Sequence, residues 1–486
     1  MTLTALWLVP AMGGVLCLFT KAETSKRFSA AVAAAVLGYC LWLSVPYAPA
    51  SGGWGLVETG PEWIFGIRYT LALDGLAFSL VWLTAFLTLV SLAASWKGGF
   101  SPGYWACFLF LEASLMGVFL SRDLLVFYVF WEAVLIPMFF IIGVWGSDGR
   151  RHAAMKFFLF TFFGSLFMLV GMLALVTARH AATGVWTWDM GELAGANPAG
   201  LAGTLMFVSF VIGFGVKIPL FPMHTWLPDA HTEAPAAGSI MLAGVLLKMG
   251  VYGFLRVLIP VFPKLCWELL PWLGGLACVN ILYGSLCAMQ QRDLKRLIAY
   301  SSVAHLGFCV LGVLSWTPEG VAGGSLQLFN HGITTGALFM MVGFLYERTH
   351  RRGLADFGEL VGRAPWLTFF FGWAVMASIG LPGMNGFVGE FMSLAGMARA
   401  LPVMAVAGAA GIVLSAAYCL PAYQAVFWGA SGPGSVSSKV TDLDAREQVL
   451  VWVLCGLMLY IGLCPTPFLD GLAPSVAAIV PYGFQQ

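Results

Sequence analysis

The chain has 486 residues, of which 60% are hydrophobic and only 10% are charged, and its net charge is +1. Soluble domains carry about 25% charged residues, so this composition excludes a soluble globular enzyme and is typical of an integral membrane protein with many helices. The nearly neutral charge does not indicate nucleic-acid binding. The ten cysteines are scattered singly, and no glycine-rich nucleotide loop is present. We therefore expect no metal, iron–sulfur or nucleotide cofactor in this chain.

Apolar runs of about 20 residues, separated by polar residues, predict fourteen membrane spans. The first run has no small-residue cleavage site, so we interpret it as a span and not as a signal peptide. The predicted fold class is therefore all-α and polytopic. The predicted spans are residues 2–20, 28–46, 71–95, 104–121, 123–145, 153–178, 201–224, 237–260, 266–289, 294–315, 321–346, 364–399, 402–428 and 448–469.

The distribution of Lys and Arg predicts the orientation of these spans. Fifteen of these residues lie in loops that follow odd-numbered spans, and five lie in loops that follow even-numbered spans. The positive-inside rule places the richer loops in the cytoplasm. We therefore expect a multi-pass protein of the bacterial inner membrane with both termini on the outer, periplasmic side.

Two spans contain Gly and Pro at mid-membrane, the seventh at residues 213–222 and the twelfth at residues 378–386. Proline breaks a helix, and irregular backbone is tolerated at this depth only inside protein or beside a wet cavity. A pair of interrupted helices indicates inverted repeats with a site at their interface. The predicted segments are 1–100 with helices 1–3, 101–262 as a first repeat of helices 4–8, 263–430 as a second repeat of helices 9–13, and 431–486 with helix 14.

Six of the ionisable side chains inside these apolar spans are predicted to be functional, because an unpartnered charge is expensive at that depth. Counted at about 1.5 Å per residue, the four in unbroken spans lie about 14 to 16 Å deep, near the middle of a core about 30 Å thick. Desolvation and neighbouring charges let Lys and Glu titrate near neutrality, and His does so unaided. Such a layer of groups predicts lateral proton transfer. The six residues are Glu132, Lys217, Lys248, His305, His331 and Glu390.

Other interpretations of these polar residues stay open. Glu132 and Lys217 have opposite charges and similar depth, so we expect an ion pair, which could serve helix packing alone. His224 and His231 follow the break in the seventh span and could take up protons or make loop hydrogen bonds. No helical carboxylate–histidine spacing accompanies them, which disfavours a metal site. Arg256 lies near the outer end of its span and is expected to snorkel to the interface.

These residues lie in long motifs that resemble the antiporter-like membrane subunits of proton-pumping NADH:quinone oxidoreductase, respiratory complex I. The chain is most similar to subunit M, because Glu390 stands in the second broken helix where subunits L and N carry Lys. The resemblance implies fourteen helices in two inverted five-helix repeats, and Glu132 with Lys217 as the coupling ion pair. The motifs are FWEA at 130–133, VKIPLFPMHTWLPDAH at 216–231, LKMG at 247–250, DLKRLIAYSSVAHLG at 293–307, FNHG at 329–332 and GFVGEF at 386–391.

The resemblance also implies roles for the second half of the layer. Lys248 would be the central relay and Glu390 the exit-side group. His305 and His331 would join these two through water. Met384 departs from the small polar residue expected at the second break.

The predicted function is proton translocation by a subunit of an NADH:quinone oxidoreductase, through a midplane Glu/Lys/His chain. The chain would perform no redox step, and FMN, iron–sulfur clusters and quinone are expected in partner subunits. The expected partners are the lipid bilayer and other membrane subunits, especially subunits L and N. The rival hypotheses are a subunit of a multisubunit sodium/proton antiporter or membrane-bound hydrogenase, and a structural membrane subunit that does not pump. Direct quinone binding has no distinct sequence feature.

Overall fold

The computed structural model describes residues 2–44, 55–432 and 434–480. These residues form α-helices and one short β-hairpin, whose strands are β1 (Leu56–Glu62) and β2 (Arg68–Leu73). The first eleven helices are α1 Thr4–Leu18, α2 Ala22–Ser44, α3 Gly75–Ala94, α4 Pro102–Leu120, α5 Leu124–Ala133, α6 Leu135–Trp145, α7 Arg150–Thr183, α8 Met190–Leu193, α9 Gly200–Lys217, α10 Trp226–Glu233 and α11 Ala236–Met241.

The second half of the described chain continues in the same way. Its helices are α12 Lys248–Gly253, α13 Ile259–Val261, α14 Pro263–Glu268, α15 Leu270–Met289, α16 Leu294–Leu314, α17 Pro318–Thr349, α18 Pro365–Ser378, α19 Asn385–Ala400, α20 Pro402–Tyr423, α21 Ala445–Leu463 and α22 Thr466–Ile479. Short π-helical segments lie at Leu242–Leu246, Phe254–Leu258 and Gln424–Trp428. Single 3-10 turns lie at Ile64–Gly66, Ser95–Lys97, Leu354–Asp356, Leu360–Gly362 and Ser437–Lys439.

Twelve helical stretches of the described residues are long and apolar enough to cross a membrane. The prediction of an all-α, polytopic membrane protein is therefore confirmed. The other two predicted spans take different forms: the first is the 15-residue helix α1, and the twelfth is the pair α18 and α19. The number of crossings, predicted as fourteen, stays a prediction.

The β-hairpin precedes α3 and was not predicted. Leu56 pairs with Leu73 and Thr59 with Thr70 in antiparallel register. The predicted third span began within β2, whereas α3 begins only at Gly75. The reason is Asp74, whose carboxylate accepts a hydrogen bond from the backbone N–H of Ala77 and caps the helix.

The centre of the bundle is formed by α16, α17 and the stretch Ala236–Val261. The apolar part of α17 is completely buried, and that of the other two is 94% buried. By contrast, α20 exposes apolar side chains such as Val403, which is 82% exposed. A helix with such a surface faces lipid, and one that is hydrophobic and buried all round belongs to the core.

Both predicted interruptions are present. Between α9 and α10 the chain is irregular, and two groups from elsewhere satisfy its backbone. Asn280 accepts a hydrogen bond from the N–H of Phe221 at 2.7 Å and donates to the carbonyl of Pro219 at 3.0 Å. The indole N–H of Trp226 donates to the carbonyl of Val216 at 3.0 Å. Buried backbone groups need such partners where a helix is interrupted.

The second interruption separates α18 from α19. Gly380 and Gly383 turn the chain there with φ of +75° and +92°, a backbone conformation that glycine adopts readily. Asn385, the first residue of α19, connects this interruption to α17 by two hydrogen bonds. Its amide nitrogen donates to the carbonyl of Asn330 at 3.2 Å, and the amide nitrogen of Asn330 donates to the carbonyl of Asn385 at 2.7 Å.

Candidate functional site

Lys217 is the last residue of α9 and stands directly at the first interruption. Its side chain is buried, at 1% exposure, and its ammonium has no hydrogen-bond partner among the described residues. The ammonium lies 5.7 Å from the ring centroid of Trp131 and 5.5 Å from that of Phe157. These distances are typical of cation–π contacts, so aromatic faces take the place of water around this charge.

Glu132 is half-buried on α5, one residue after Trp131. Its polar neighbours are the hydroxyls of Tyr128 and Ser165, and it interacts electrostatically with Lys217. The expected direct ion pair with Lys217 is not formed. In the described chain neither the ammonium of Lys217 nor Oε1 of Glu132 has a hydrogen-bond partner, and the ammonium lies against the aromatic rings. The interaction between these two residues therefore acts through space.

Lys248 is completely buried at the start of α12, next to the π-helical segment Leu242–Leu246. Its ammonium donates to the carbonyl of Ala243, and Nζ lies 2.7 Å from Nδ1 of His331. The lysine side chain thus points back toward the start of its own helix, as helical side chains do. Single π-helical turns occur frequently at functional sites.

His305 of α16 and Glu390 of α19 form a second contact. Nδ1 of His305 lies 2.7 Å from Oε1 of Glu390, and Nε2 of His305 lies 3.2 Å from the hydroxyl of Ser378. The side-chain amide of Gln327 donates to the same Oε1 at 3.0 Å. All these side chains are buried. The glutamate is therefore held by two hydrogen-bonding side chains from two neighbouring helices.

A small cavity separates the two contacts. The ring centroids of His331 and His305 are 5.7 Å apart. The cavity beside them has a volume of about 10 Å³, and Gln327, Asn330 and Thr334 also line it. Nε2 of His331, Oδ1 of Asn330 and Oε1 of Gln327 are buried and have no hydrogen-bond partner in the described part of the chain.

The structure thus brings four of the six predicted residues into one series and leaves two apart. The series runs from Lys248 through His331 and His305 to Glu390. Lys217 and Glu132 form a separate group, and no hydrogen bond between described residues joins that group to Lys248. Sequence reasoning missed the supporting amides Gln327, Asn330, Asn280 and Asn385, and it missed Glu112, a buried carboxyl in α4.

The two histidines after the first interruption have different surroundings. The ring of His231 is completely buried and stacks on Phe339 at 4.5 Å, and neither ring nitrogen has a hydrogen-bond partner among the described residues. It interacts electrostatically with Lys295 and Lys248. His224 packs instead between the rings of Phe221 and Tyr283. Loop hydrogen bonding therefore does not explain the position of His231.

Arg256 does not snorkel, so that prediction is wrong. Its guanidinium is buried and pairs with the carboxylate of Asp74 at the start of α3. The other oxygen of Asp74 accepts a hydrogen bond from the hydroxyl of Ser475 at 2.7 Å. Asp74 thus joins the start of α3 to Arg256 by an ion pair and to helix α22 by a hydrogen bond. No three His, Cys, Asp or Glu side chains of residues 2–44, 55–432 and 434–480 are grouped to hold a metal ion.

Comparison with known proteins gives the family. Residues 121–415 match the family model described as NADH:quinone oxidoreductase/Mrp antiporter, transmembrane region. The chain is 42% identical over 448 residues to NADH-quinone oxidoreductase subunit M of Rhodobacter capsulatus, covering 90% of this chain and 87% of the relative. The chain belongs to the subunit M family of NADH-quinone oxidoreductase. The resemblance noted in the motifs is thereby confirmed.

Solved structures agree with this assignment. A chain of respiratory complex I from Thermus thermophilus with bound NADH has a TM-score of 0.89 and 32% identity, covering 99% of both chains. A chain of the Mrp complex from Dietzia sp. DQ12-45-1b has a TM-score of 0.86 at 22% identity, covering 99% of this chain and 98% of that one. The second match shows a shared fold alone. The two solved chains and this chain thus share one membrane fold.

Proposed function

We propose that the chain is a proton-translocating membrane subunit, of the subunit M type, in an NADH-quinone oxidoreductase. The observation that carries the proposal is the buried series from Lys248 to Glu390. It joins four titratable side chains from four helices at mid-membrane, with contacts of 2.7 Å at both ends. Ionisable residues at such depth mark ion pathways, because each would otherwise destabilise the fold.

The first contact can pass a proton without moving a side chain. The ammonium of Lys248 donates to Nδ1 of His331, and His331 also lines the small cavity. When Nδ1 takes the proton, Nε2 can release one, because both ring nitrogens of a histidinium are donors. The imidazole of His331 thus connects the lysine to the cavity.

One water molecule bridges the remaining gap in this proposal. A cavity of about 10 Å³ is close to the smallest that holds a water, which needs two to four polar partners. The unpaired atoms of His331, Asn330 and Gln327 supply three partners. A water held there lies next to His305, which contacts Glu390, the proposed exit-side group.

The first half of the molecule supplies the coupling in this proposal. Glu132 and Lys217 interact electrostatically although they do not touch. Protonating or moving Glu132 would change the potential at Lys217, and a buried charge feels such a change strongly because screening is weak. Redox steps in partner subunits, which would hold the FMN, iron–sulfur clusters and quinone, would drive this change.

His231 is the proposed uptake group for Lys248. It interacts electrostatically with both Lys248 and Lys295. Lys295 lines a cavity of about 200 Å³ that also includes Glu233 and Glu347, near the helix ends rich in Lys and Arg. By the positive-inside rule these ends are cytoplasmic, so this cavity would supply protons from the cytoplasm.

Location and assembly follow from the same proposal. The chain would lie in the bacterial inner membrane with both termini outside. Residues 101–262 and 263–430 would be the two inverted repeats. Its partners would be the lipid bilayer and other membrane subunits of the complex, with subunits L and N nearest in kind. Relatives of this family carry the name of an oxidoreductase subunit, so the enzyme activity would belong to the whole complex.

The decisive experiment replaces Lys248 by Arg. Arginine keeps the positive charge but cannot be deprotonated in a protein, so it cannot relay a proton. We expect assembled Lys248→Arg complexes to lose proton pumping, measured with NADH-driven acidification of inverted vesicles. Full pumping would show that Lys248 supplies only a fixed charge, and the proposed series would then be wrong.

A second candidate is a subunit of a sodium/proton antiporter complex. The shared fold with a chain of the Mrp complex favours it. The two candidates are distinguished by purification from native membranes, because flavin and iron–sulfur subunits would accompany the chain only in an NADH-quinone oxidoreductase.

A further inference from the structure

A seventh ionisable side chain lies at the depth of the predicted layer. Helices α4 and α5 are joined by three residues and pack on each other, so they run in opposite directions. Glu112 lies eight residues before the end of α4 at Leu120, and Glu132 lies eight residues after the start of α5 at Leu124. At about 1.5 Å per residue, both carboxyl groups are about 12 Å from the connecting turn.

The surroundings of Glu112 differ from those of the other two midplane carboxyls. The residue is 0% exposed, and neither carboxyl oxygen has a hydrogen-bond partner in the described part of the molecule. No cation of the described residues compensates the burial of Glu112, and a negative charge on Glu112 would act on the buried thiol of Cys40 on α2. Three residues earlier on α4, Leu109 packs against Gly13 of α1. Glu112 is therefore enclosed on the side of α1 and α2.

These surroundings determine whether the carboxyl group of Glu112 is charged or neutral. A carboxylate without hydrogen bonds and without a counter-ion is strongly disfavoured in an apolar interior. Glu390, by contrast, accepts two hydrogen bonds, and Glu132 has hydroxyl neighbours and a lysine within electrostatic reach. Among the described carboxyl groups of this layer, Glu112 thus has the least compensation for a negative charge.

We propose that Glu112 is a further proton-binding site, a neutral carboxylic acid that exchanges its proton with the midplane layer during turnover. The proposal rests on the proposed function of the chain. A polar side chain that finds no partner in the interior destabilises the fold, and a leucine would fill the same space without that cost. An ionisable group that is buried at mid-membrane without a partner is expected to have a functional role.

The experiment has a chemical arm and a transport arm, both on the assembled complex in native membranes. The chemical arm uses dicyclohexylcarbodiimide, an apolar reagent. The acid adds across one C=N bond: its oxygen bonds to the central carbon, its proton passes to nitrogen, and no group leaves. We expect mass spectrometry to find this adduct on Glu112, and to find none at position 112 in Glu112→Gln.

The transport arm compares four variants in NADH-driven proton pumping. We expect Glu112→Gln and Glu112→Leu to assemble and to pump several-fold fewer protons per NADH, and Glu112→Asp to keep most of the pumping. Glu112→Leu is the critical variant, because a purely structural site should tolerate or favour the apolar side chain. Ser114→Ala is the matched control on the same helix. The hydroxyl of Ser114 donates to the carbonyl of Phe110 and to no other group of the described chain, so the variant should pump normally.

Two results would overturn the inference. One is an unlabelled Glu112 in complexes in which other membrane carboxyls carry the adduct. The other is full pumping by both Glu112→Gln and Glu112→Leu. Lys248→Arg is measured in the same experiment to distinguish failure of this inference from failure of the proposed function. If Lys248→Arg does not pump while the Glu112 variants do, only the role of Glu112 is refuted. If all the variants pump, the proposed function is refuted as well.

Discussion

Glu390 allows proton exchange to be separated from structural support. Its Oε1 accepts hydrogen bonds from two buried donors, Nδ1 of His305 at 2.7 Å and the amide of Gln327 at 3.0 Å. Glu390→Ala leaves both donors unpaired, and an unpaired buried donor costs about 1–3 kcal/mol, so the loss should be about 2–6 kcal/mol. In Glu390→Gln the side-chain carbonyl can still accept both bonds, so the fold should be nearly unchanged, but no proton can be released.

The assay measures two quantities on the same membranes: protons pumped per NADH, and the temperature at which the complex loses its quinone reductase activity. We expect both variants to lose pumping, and only Glu390→Ala to lose thermal stability. Glu319→Gln is the control, because Glu319 is a partly exposed acid paired with the exposed Arg399 and should change neither quantity. Normal pumping by Glu390→Gln would refute the reasoning and leave Glu390 as a support for the break alone. Partial activity of Glu390→Lys would mean that any titratable group serves there.

The remaining predictions concern the first half and the uptake route. Lys217→Ala and Glu132→Ala should each sharply reduce NADH-driven pumping while the complex still assembles, because each residue contributes to the electrostatic potential at the other. Glu132→Asp should reduce pumping less. Near-normal pumping by both alanine variants would contradict the coupling role. His231→Gln should slow pumping because it removes the titratable ring that interacts electrostatically with both Lys295 and Lys248. His224→Gln is its matched control from the same motif and should pump normally, so equal effects of the two histidine variants would argue against the uptake route.

The helical architecture could be predicted because membrane spans leave a strong local signal. Length and apolar composition located the stretches that the structure forms as helices, and Gly with Pro beside a charge located both interruptions. The depth of a side chain also follows from residue counting, since rise per residue is nearly constant. The same counting applies to Glu112, which lies in the middle of the fourth predicted span, so the sequence did contain a signal for it.

Side-chain pairing could not be predicted, because it depends on the rotation of each helix and on tertiary neighbours. Equal depth and opposite charge suggested a direct ion pair of Glu132 with Lys217, but Trp131 and Phe157 offer the ammonium an alternative contact. Arg256 was expected to reach the interface because it lies near the outer end of its span. Its partner Asp74 could not be identified from the sequence, since the two residues are far apart along the chain. Asn280 likewise satisfies an interruption about sixty residues away and carries no local signal.

The two halves of the layer differ in a way that suggests where the proposed cycle begins. In the second half, short contacts hold both Lys248 and Glu390, so a proton can pass there by small rearrangements. In the first half, Lys217 has no hydrogen-bond partner in the described chain and rests against aromatic rings, while Glu132 is half-buried. An ammonium in that position gains much from a carboxylate that moves closer, because attraction grows steeply at short distance in a medium of low dielectric. If this pair closed, the positive charge of Lys217 would be neutralised by Glu132 and would act less on Lys248. In our proposal the Glu132–Lys217 pair is therefore the input, and Glu390 is the output.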